Sequence, residues 1–317
     1  MTKPYPVLFM DTFNGAGYIA DGDQSVPSSV TLANVDRLSF VSETCAQISY
    51  TLSAARETLA GSNSTTVAYF WSGFNFPGGP GIGAYIDGMN FASETSAYIA
   101  AAVDYRYCGS GASSASYGYS AGGLSDTGGL QTIISNIQFG TNTQGRISGV
   151  LSPMRAYVGG NVYSTTHMYF GGGSTTLSDH SAVIDGFRFD TGANLGLGIS
   201  LATARTWVAG VHSTTHGYFC GGATGYAAST EITAITFSDD TAATAGFALG
   251  TGTQQMMGTC SVTRGYLCGG VPGLSGTAPV ATTQVITYAP SAAMGTTSAT
   301  LSAARGLGCG VQWGAMQ

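Results

Sequence analysis

One pattern recurs six times along this 317-residue chain, about every 50 residues, and it constrains the fold more than any other feature. It is clearest in Arg205-Thr206-Trp207-Val208-Ala209-Gly210, then Gly217-Tyr218-Phe219-Cys220-Gly221-Gly222, then Ile232-Thr233-Ala234-Ile235-Thr236-Phe237. A period of this size points to one supersecondary unit per repeat, with neighbouring units stacked so that they share a core.

Three landmark series keep the register. An aromatic ending an alternating apolar run falls at Phe40, Phe91, Phe139, Phe189, Phe237 and Tyr288. A small or apolar residue heads the next segment at Leu52, Ala102, Leu151, Leu201, Leu249 and Leu301, followed four positions later by Arg56, Arg106, Arg155, Arg205, Thr253 and Arg305. A tyrosine running into small residues falls at Tyr18, Tyr69, Tyr119, Tyr169, Tyr218 and Tyr266. The intervals stay between 48 and 52 residues in all three series, so the units are equivalent.

Each unit reads as four short strands. Ile184–Phe189 alternates near period two, as a half-buried strand does. The turn-like Asp190-Thr191-Gly192 follows it, echoed by Ser42-Glu43-Thr44, Ser93-Glu94-Thr95 and Asp239-Asp240-Thr241, whose short polar side chains favour a chain reversal. Hairpin tips recur as Ser64-Thr65-Thr66, Ser164-Thr165-Thr166 and Ser213-Thr214-Thr215, and Gly-Gly stops the tyrosine strand at 122–123, 172–173, 221–222 and 269–270. No stretch sustains a 3.6-residue apolar period, so helix is expected to be almost absent.

Solenoid rungs take about 20–30 residues, whereas a propeller blade takes about 40–50. The last unit stops after its Arg305–Trp313 strand, and the first 34 residues hold an unpartnered Gly17-Tyr18-Ile19-Ala20-Asp21-Gly22. The two chain ends are therefore expected to share one blade and close the ring, which removes two exposed sheet edges. The expected architecture is all-β: a six-bladed propeller of four-stranded antiparallel blades over 17–317, with an N-terminal extension over 1–16.

The order Arg-x-x-x-Ala/Gly-Gly, then Gly-Tyr-Phe-x-Gly-Gly, then an alternating strand ending in an aromatic resembles the Kelch repeat from Gly17 to Gln317. The resemblance implies that the Arg–Gly strand lines the central channel and that the closing strand is C-terminal. The chain departs from it in lacking the usual Trp near the end of each blade, where Leu or Ala stands. The departure points to a distant, viral or microbial branch.

Charged residues make up 8% of the chain, against a usual ~25%, and Lys3 is the only lysine. Ser, Thr, Gly and Ala must cover most of the outside, which suits a subunit held in a larger assembly. A net charge of −6 and the scatter of the arginines argue against nucleic acid. The opening Met1-Thr2-Lys3-Pro4-Tyr5-Pro6 shows neither a secretory signal nor a membrane span, so synthesis in a host cytoplasm without membrane insertion is expected.

Cys45, Cys108, Cys220, Cys260, Cys268 and Cys309 include no Cys-x-x-Cys, and Cys220 and Cys268 share a position held elsewhere by Trp71, Ala121 and Gly171. Such a position is a packing slot, so free, buried thiols are expected and a thiolate zinc site is not. His167 and His216 are equivalent, but Val67, Tyr117 and Arg264 fill the matching places; His180 and His212 have no evident partner. No metal and no cofactor is expected. The five arginines read as structural, each satisfying loop carbonyls or a carboxylate at the start of the inner strand, rather than as a cationic ring.

Catalytic signatures are missing: no sialidase box, no convincing Gly-x-Ser-x-Gly elbow, and only 16 acids, many in repeated turns. What remains is recognition by the loops after each double glycine, with Phe74, Phe76, Tyr85, Tyr226 and Leu274 as candidate contacts. The expected function is that of a non-enzymatic virion component: a bacteriophage tail, fibre or capsid-surface propeller that binds other virion proteins or a host surface glycan. The alternatives are a cytosolic Kelch-type scaffold for protein partners and a secreted carbohydrate-active enzyme.

Overall fold

The computed structural model describes residues 15–24, 30–75, 85–97, 99, 104–274, 276–288 and 291–314. Among them the chain forms strands and turns and no helix. Six antiparallel blades stand in a ring, numbered here from the N-terminus. Blade one is built from both chain ends: Cys309–Trp313 is innermost, followed by Ala16–Ala20, Asn34–Ser39 and Cys45–Thr51. Ala16 lies opposite Trp313 and Ala20 opposite Cys309, so the seam is an ordinary antiparallel ladder. The C-terminal strand closes the ring from inside.

The other inner strands are Ala60–Asn63, Ser110–Ser113, Gly159–Tyr163, Ala209–His212 and Met257–Cys260. Blade four departs from the four-stranded expectation. Its sheet holds Gly159–Tyr163, His167–Gly171 and Ile184–Arg188, and its outer segment forms no continuous ladder with it, joining it through the isolated bridges Phe187–Asn194 and Val183–Ser200 and single backbone bonds such as Leu195 N to Gly186 O at 2.8 Å. Gly196 and Gly198, within that segment, take φ of 59 and 64°, which turns the chain out of the extended conformation that a ladder needs.

Two of the sequence landmarks meet across blade boundaries. Tyr18 stacks on Phe91, Tyr69 on Phe139, Tyr119 on Phe189, Tyr169 on Phe237, Tyr218 on Tyr288 and Tyr266 on Phe40, with ring centroids 5.1–5.6 Å apart. Each such pair adds about 0.5–1.5 kcal/mol beyond its burial. The phenols reach further, into the outer turn of the next blade: Tyr18 Oη donates to Glu94 and Tyr266 Oη to Glu43, both at 3.0 Å. Tyr169 Oη donates likewise to Asp240. One tyrosine per blade thus fastens it to its neighbour.

The arginine landmark is buried and structural in geometry. Arg56 and Arg155 each donate to an aspartate, Asp87 and Asp185, at 2.6 Å; Arg205 pairs with Glu231 at 3.0 Å and Arg305 with Asp36 at 3.2 Å. Arg106 instead donates to the carbonyls of Gly122, Ile133 and Ser120 and to Ser135 Oγ. The carboxylates come from the third strand of the same blade or its lead-in, not from the start of the inner strand as the sequence reading has it. Asp36, Asp87 and Asp185 each follow a buried Val or Ile, so alternation sends them to the other face of the sheet, and Glu231 flanks Ile232 from the lead-in. Leu52, Leu151, Leu201, Leu249 and Leu301 are buried, while Ala102 falls outside the described residues.

The channel is nearly shut by backbone. Gly61, Gly111, Gly160, Gly210, Gly258 and Gly310 hold one position of the six inner strands. A Cβ on any of them would lie 1.8–3.1 Å from the carbonyl oxygen of the equivalent glycine next door. Only hydrogen in place of a side chain lets the inner strands converge this closely. The six cysteines are free, and all but Cys45 are buried.

Candidate functional site

In each blade the first strand pairs antiparallel with the second, as Ala60 does with Trp71. The loops after the double glycines and the connections into the inner strands therefore emerge together on one face, the loop face. The Ser-Thr-Thr hairpin tips emerge on the other.

On the loop face, the loops of blades four, five and six form one connected unit. Gly225 N donates to His180 Nε2 at 3.0 Å, Ala228 N donates to Gly273 O at 2.7 Å, and Ala227 bridges to Leu274. Tyr226 caps the tight hairpin of Ala223–Thr224 and Ala227–Ala228 and is 81% exposed; Leu274 beside it is 65% exposed. Leu177, on the blade-four loop, is 50% exposed at a left-handed φ of 72°. That backbone is costly for a leucine, by about 1 kcal/mol or more. Asp179 holds the loop in place, accepting from Thr175 N at 2.7 Å, Thr176 N at 3.0 Å and Ser174 Oγ at 3.0 Å. Burial is the largest single influence and raises the carboxyl, but these bonds together favour the ionised form and hold its pKa below the usual carboxylate range. A built loop therefore presents an apolar side chain to solvent.

The predicted contact residues fall into two groups. Tyr226 and Leu274 come together as described. Phe74 and Tyr85 lie across the ring on blade two: Phe74 is half-buried with its ring 5.2 Å from that of Tyr107, and Tyr85 lies under the Arg56 guanidinium at 5.4 Å. Phe76 lies outside the described residues. Leu177 escaped the sequence reading because a single leucine between Thr-Thr and Ser-Asp carries no periodic signal.

No family model matches the chain, and no curated protein sequence matches it. Among solved structures, that of YjhT aligns with a TM-score of 0.70 over 88% of this chain and 97% of that one, at 10% identity. The likeness is one of fold: a six-bladed β-propeller.

A second feature lies at the centre of the loop face. Two residues after the arginine landmark stand Thr58, Cys108, Tyr157, Trp207, Gln255 and Leu307, all left-handed with φ between 56 and 64°. The N–H of each donates to the carbonyl of its equivalent in the preceding blade, at 2.5–3.2 Å, and the six bonds run unbroken round the channel mouth. Each bond contributes about 0.5–1.5 kcal/mol, which offsets the left-handed strain. The backbone is thus constant while the side chains differ in all six blades. They line a cavity of about 90 Å³ whose wall includes Asn161. Aligning the repeats on the arginine shows the variable position, but not that its side chains converge.

The opposite end of the channel holds Tyr163, His212, Cys260 and Gln312, all buried. Cys260 Sγ lies 3.5 Å from His212 Nδ1. Burial pushes the thiol up to about 12 and the imidazole down to about 4, so both are neutral at pH 7. The pair lacks the thiolate that a Cys–His nucleophile needs. No group of three or more His, Cys, Asp or Glu side chains among the described residues is placed to hold a metal ion.

Proposed function

We propose that this protein is a non-enzymatic recognition module, a distant Kelch-type propeller carried on a virion as a tail, fibre or capsid-surface component. In this reading it attaches through its loop face to other virion proteins or to a host surface glycan. The observation that carries the reading is the row of Leu177, Tyr226 and Leu274 on three mutually hydrogen-bonded loops. Rigid presentation of exposed apolar and aromatic side chains lowers the ordering cost of binding. Among the described residues of these loops the only carboxylates are Asp179, held by its own loop, and Glu231, paired with Arg205. The surface offered therefore carries little charge, suited to stacking on sugar rings or docking a neutral protein face. A six-bladed propeller fits a protein-interaction role in general, and the virion setting rests on the charge-poor composition.

The test compares the native protein with the triple variant Leu177→Ser, Tyr226→Ser, Leu274→Ser on host envelope fractions, on a glycan array and in particle incorporation. Retention or incorporation by the native protein, lost in a variant with an unchanged melting curve, is the expected result. Equal behaviour of the two proteins in all three assays would overturn the loop assignment.

A further inference from the structure

The face opposite the loops carries an apolar groove at the seam of the ring. It is lined by Phe40 and Val41 from the outer turn of blade one, by Val262 and Thr263 from the hairpin tip of blade six, and by Trp313 at the end of the closing strand. Together they enclose about 350 Å³. Val41 is 65% exposed and Val262 53%. Trp313 is half-buried and rests on Phe91, whose ring lies 6.0 Å away and 15° from parallel.

Three of these residues break the repeat. Trp313 stands where the other five inner strands run into Ser64, Ser114, Ser164, Ser213 and Ser261. Those serines brace their own tips: Ser64 Oγ accepts from Val67 N at 2.9 Å, and Ser213 Oγ from His216 N at 3.0 Å. A tryptophan gives up that bond. Val262 takes the place of Thr65, Ala115, Thr165 and Thr214, and Val41 that of Ala92, Gly140, Asp190 and Ser238. Large apolar side chains thus replace small or polar ones at three places, and all three line one groove. Exposed apolar surface gathered in this way marks a place that another surface covers.

The point where the chain enters the fold indicates the occupant. Gly15 and Gly314, the first and last described residues, both line the groove. Upstream of Gly15 the sequence holds Val7-Leu8-Phe9-Met10, the chain's only run of four large apolar residues, and it belongs to none of the six repeats. Met10 stands five residues before Gly15, within ~17 Å of the groove wall even when that stretch is fully extended. We propose that the groove is the docking site of the chain's own segment Val7–Met10, which caps the seam from the hairpin-tip face. Alternate residues of an extended run point the same way, so two of the four side chains enter. The space matches, since a cavity of about 150 Å³ holds one benzene-sized ring. The lining side chains carry no charge, and neither does the run. Tethering at Gly15 gives the segment an effective concentration on the order of millimolar, which favours it over the same segment of a second copy. The proposal uses no residue of the loop face and stands apart from that reading.

The full chain, with its Val, Leu and Met methyl groups isotopically labelled, tests this through nuclear Overhauser contacts between Val7, Leu8 or Met10 and the Trp313 ring, whose indole resonance is assigned with Trp313→Phe. The expected results are such contacts at every protein concentration, and a shifted Trp313 signal in the variant Val7→Ser, Leu8→Ser, Phe9→Ser, Met10→Ser. The pair Val41→Ser and Val262→Ser makes the groove polar, as the matching places are in other blades. It should remove the contacts and speed chymotrypsin cleavage after Leu8 or Phe9 about tenfold or more. Unchanged Trp71 and Trp207 resonances establish that both variants are folded. Absence of the contacts in the native protein, an unmoved Trp313 signal in the four-serine variant, or equal cleavage rates overturns the proposal. Contacts found only between labelled and unlabelled chains in a mixed sample overturn it in favour of docking between copies.

Discussion

Tyr266 stacks on Phe40 with ring centroids 5.3 Å apart and planes 11° from parallel, joining residues from opposite ends of the chain. The same tyrosine donates to Glu43, which also pairs with Arg264. This contact repeats, at the boundary between the last blade and the first, the stack found at the other five boundaries. The ring is closed twice, by a strand ladder inside and by an aromatic latch outside.

Tyr266→Ala should therefore destabilise the protein by about 3–5 kcal/mol, as large aromatic truncations do. Tyr266→Phe keeps the stack and loses only a bond to a charged acceptor, at a cost of about 1–3 kcal/mol. Urea denaturation followed by tryptophan fluorescence measures both. Equal losses in the two variants would mean that stacking contributes nothing at this boundary.

The glycine ring makes a sharper prediction. A methyl group on Gly210 would sit 1.8 Å from Gly160 O, where no side chain can give way. Gly210→Ala should cost about 3 kcal/mol or more, through strain across the blade interface. Gly225→Ala is the control: that loop glycine has φ of 65° and open space around it, so only about 1 kcal/mol is expected. Thermal melts of the two purified variants give the comparison, and similar melting temperatures would refute the close-approach argument.

At the seam, Arg305 and Asp36 are both fully buried and paired at 3.2 Å, and Asp36 also accepts from Ser302 N and Oγ at 2.7 Å. Asp36→Asn leaves the guanidinium without its counter-charge and should cost about 3–5 kcal/mol. Chemical denaturation at neutral pH reads this out. A loss under about 1 kcal/mol would place the seam's stability in its ladder and latch alone.

Glu57 carries a pH signature of its own. Burial, and then repulsion from Asp23, raise its pKa in the fold, so between the ordinary glutamate range and about 7 the folded protein binds more protons than the unfolded chain. Stability contributed this way is present at acid pH and is lost as pH rises through about 7. Glu57→Gln should therefore melt higher than the native protein at pH 8, by about 2 °C or more, with the gap vanishing near pH 4. A lower melting temperature for the variant at pH 8 would show that the carboxylate is satisfied when ionised. His212 acts in the opposite sense: its lowered pKa makes stability fall as pH drops from about 6.5 toward 4.

The repeat made blade number, strand direction and the shared terminal blade legible, because each depends on residue type at a fixed spacing. Tyr226 and Leu274 were legible as exposed residues because each stands in a short Gly-containing loop with no large apolar neighbour in sequence to cover it. Leu177 and Glu57 were not. Leu177 stands out only by the left-handed backbone that Asp179 imposes on its loop, and Glu57 only by neighbours contributed by blades one, three and four. Blade four's missing outer strand was hidden too, since Gly196 and Gly198 look no different in sequence from glycines in the chain's other turns.

From the amino-acid order alone came a ring of six repeated sheets with structural arginines and free thiols, since periodic residue type is written locally along each strand. Only the tertiary structure decided which side chains share a site. Convergence at the channel mouth brings together residues about 50 positions apart, at a backbone angle that the six-membered hydrogen-bond ring sustains and no single repeat would hold by itself.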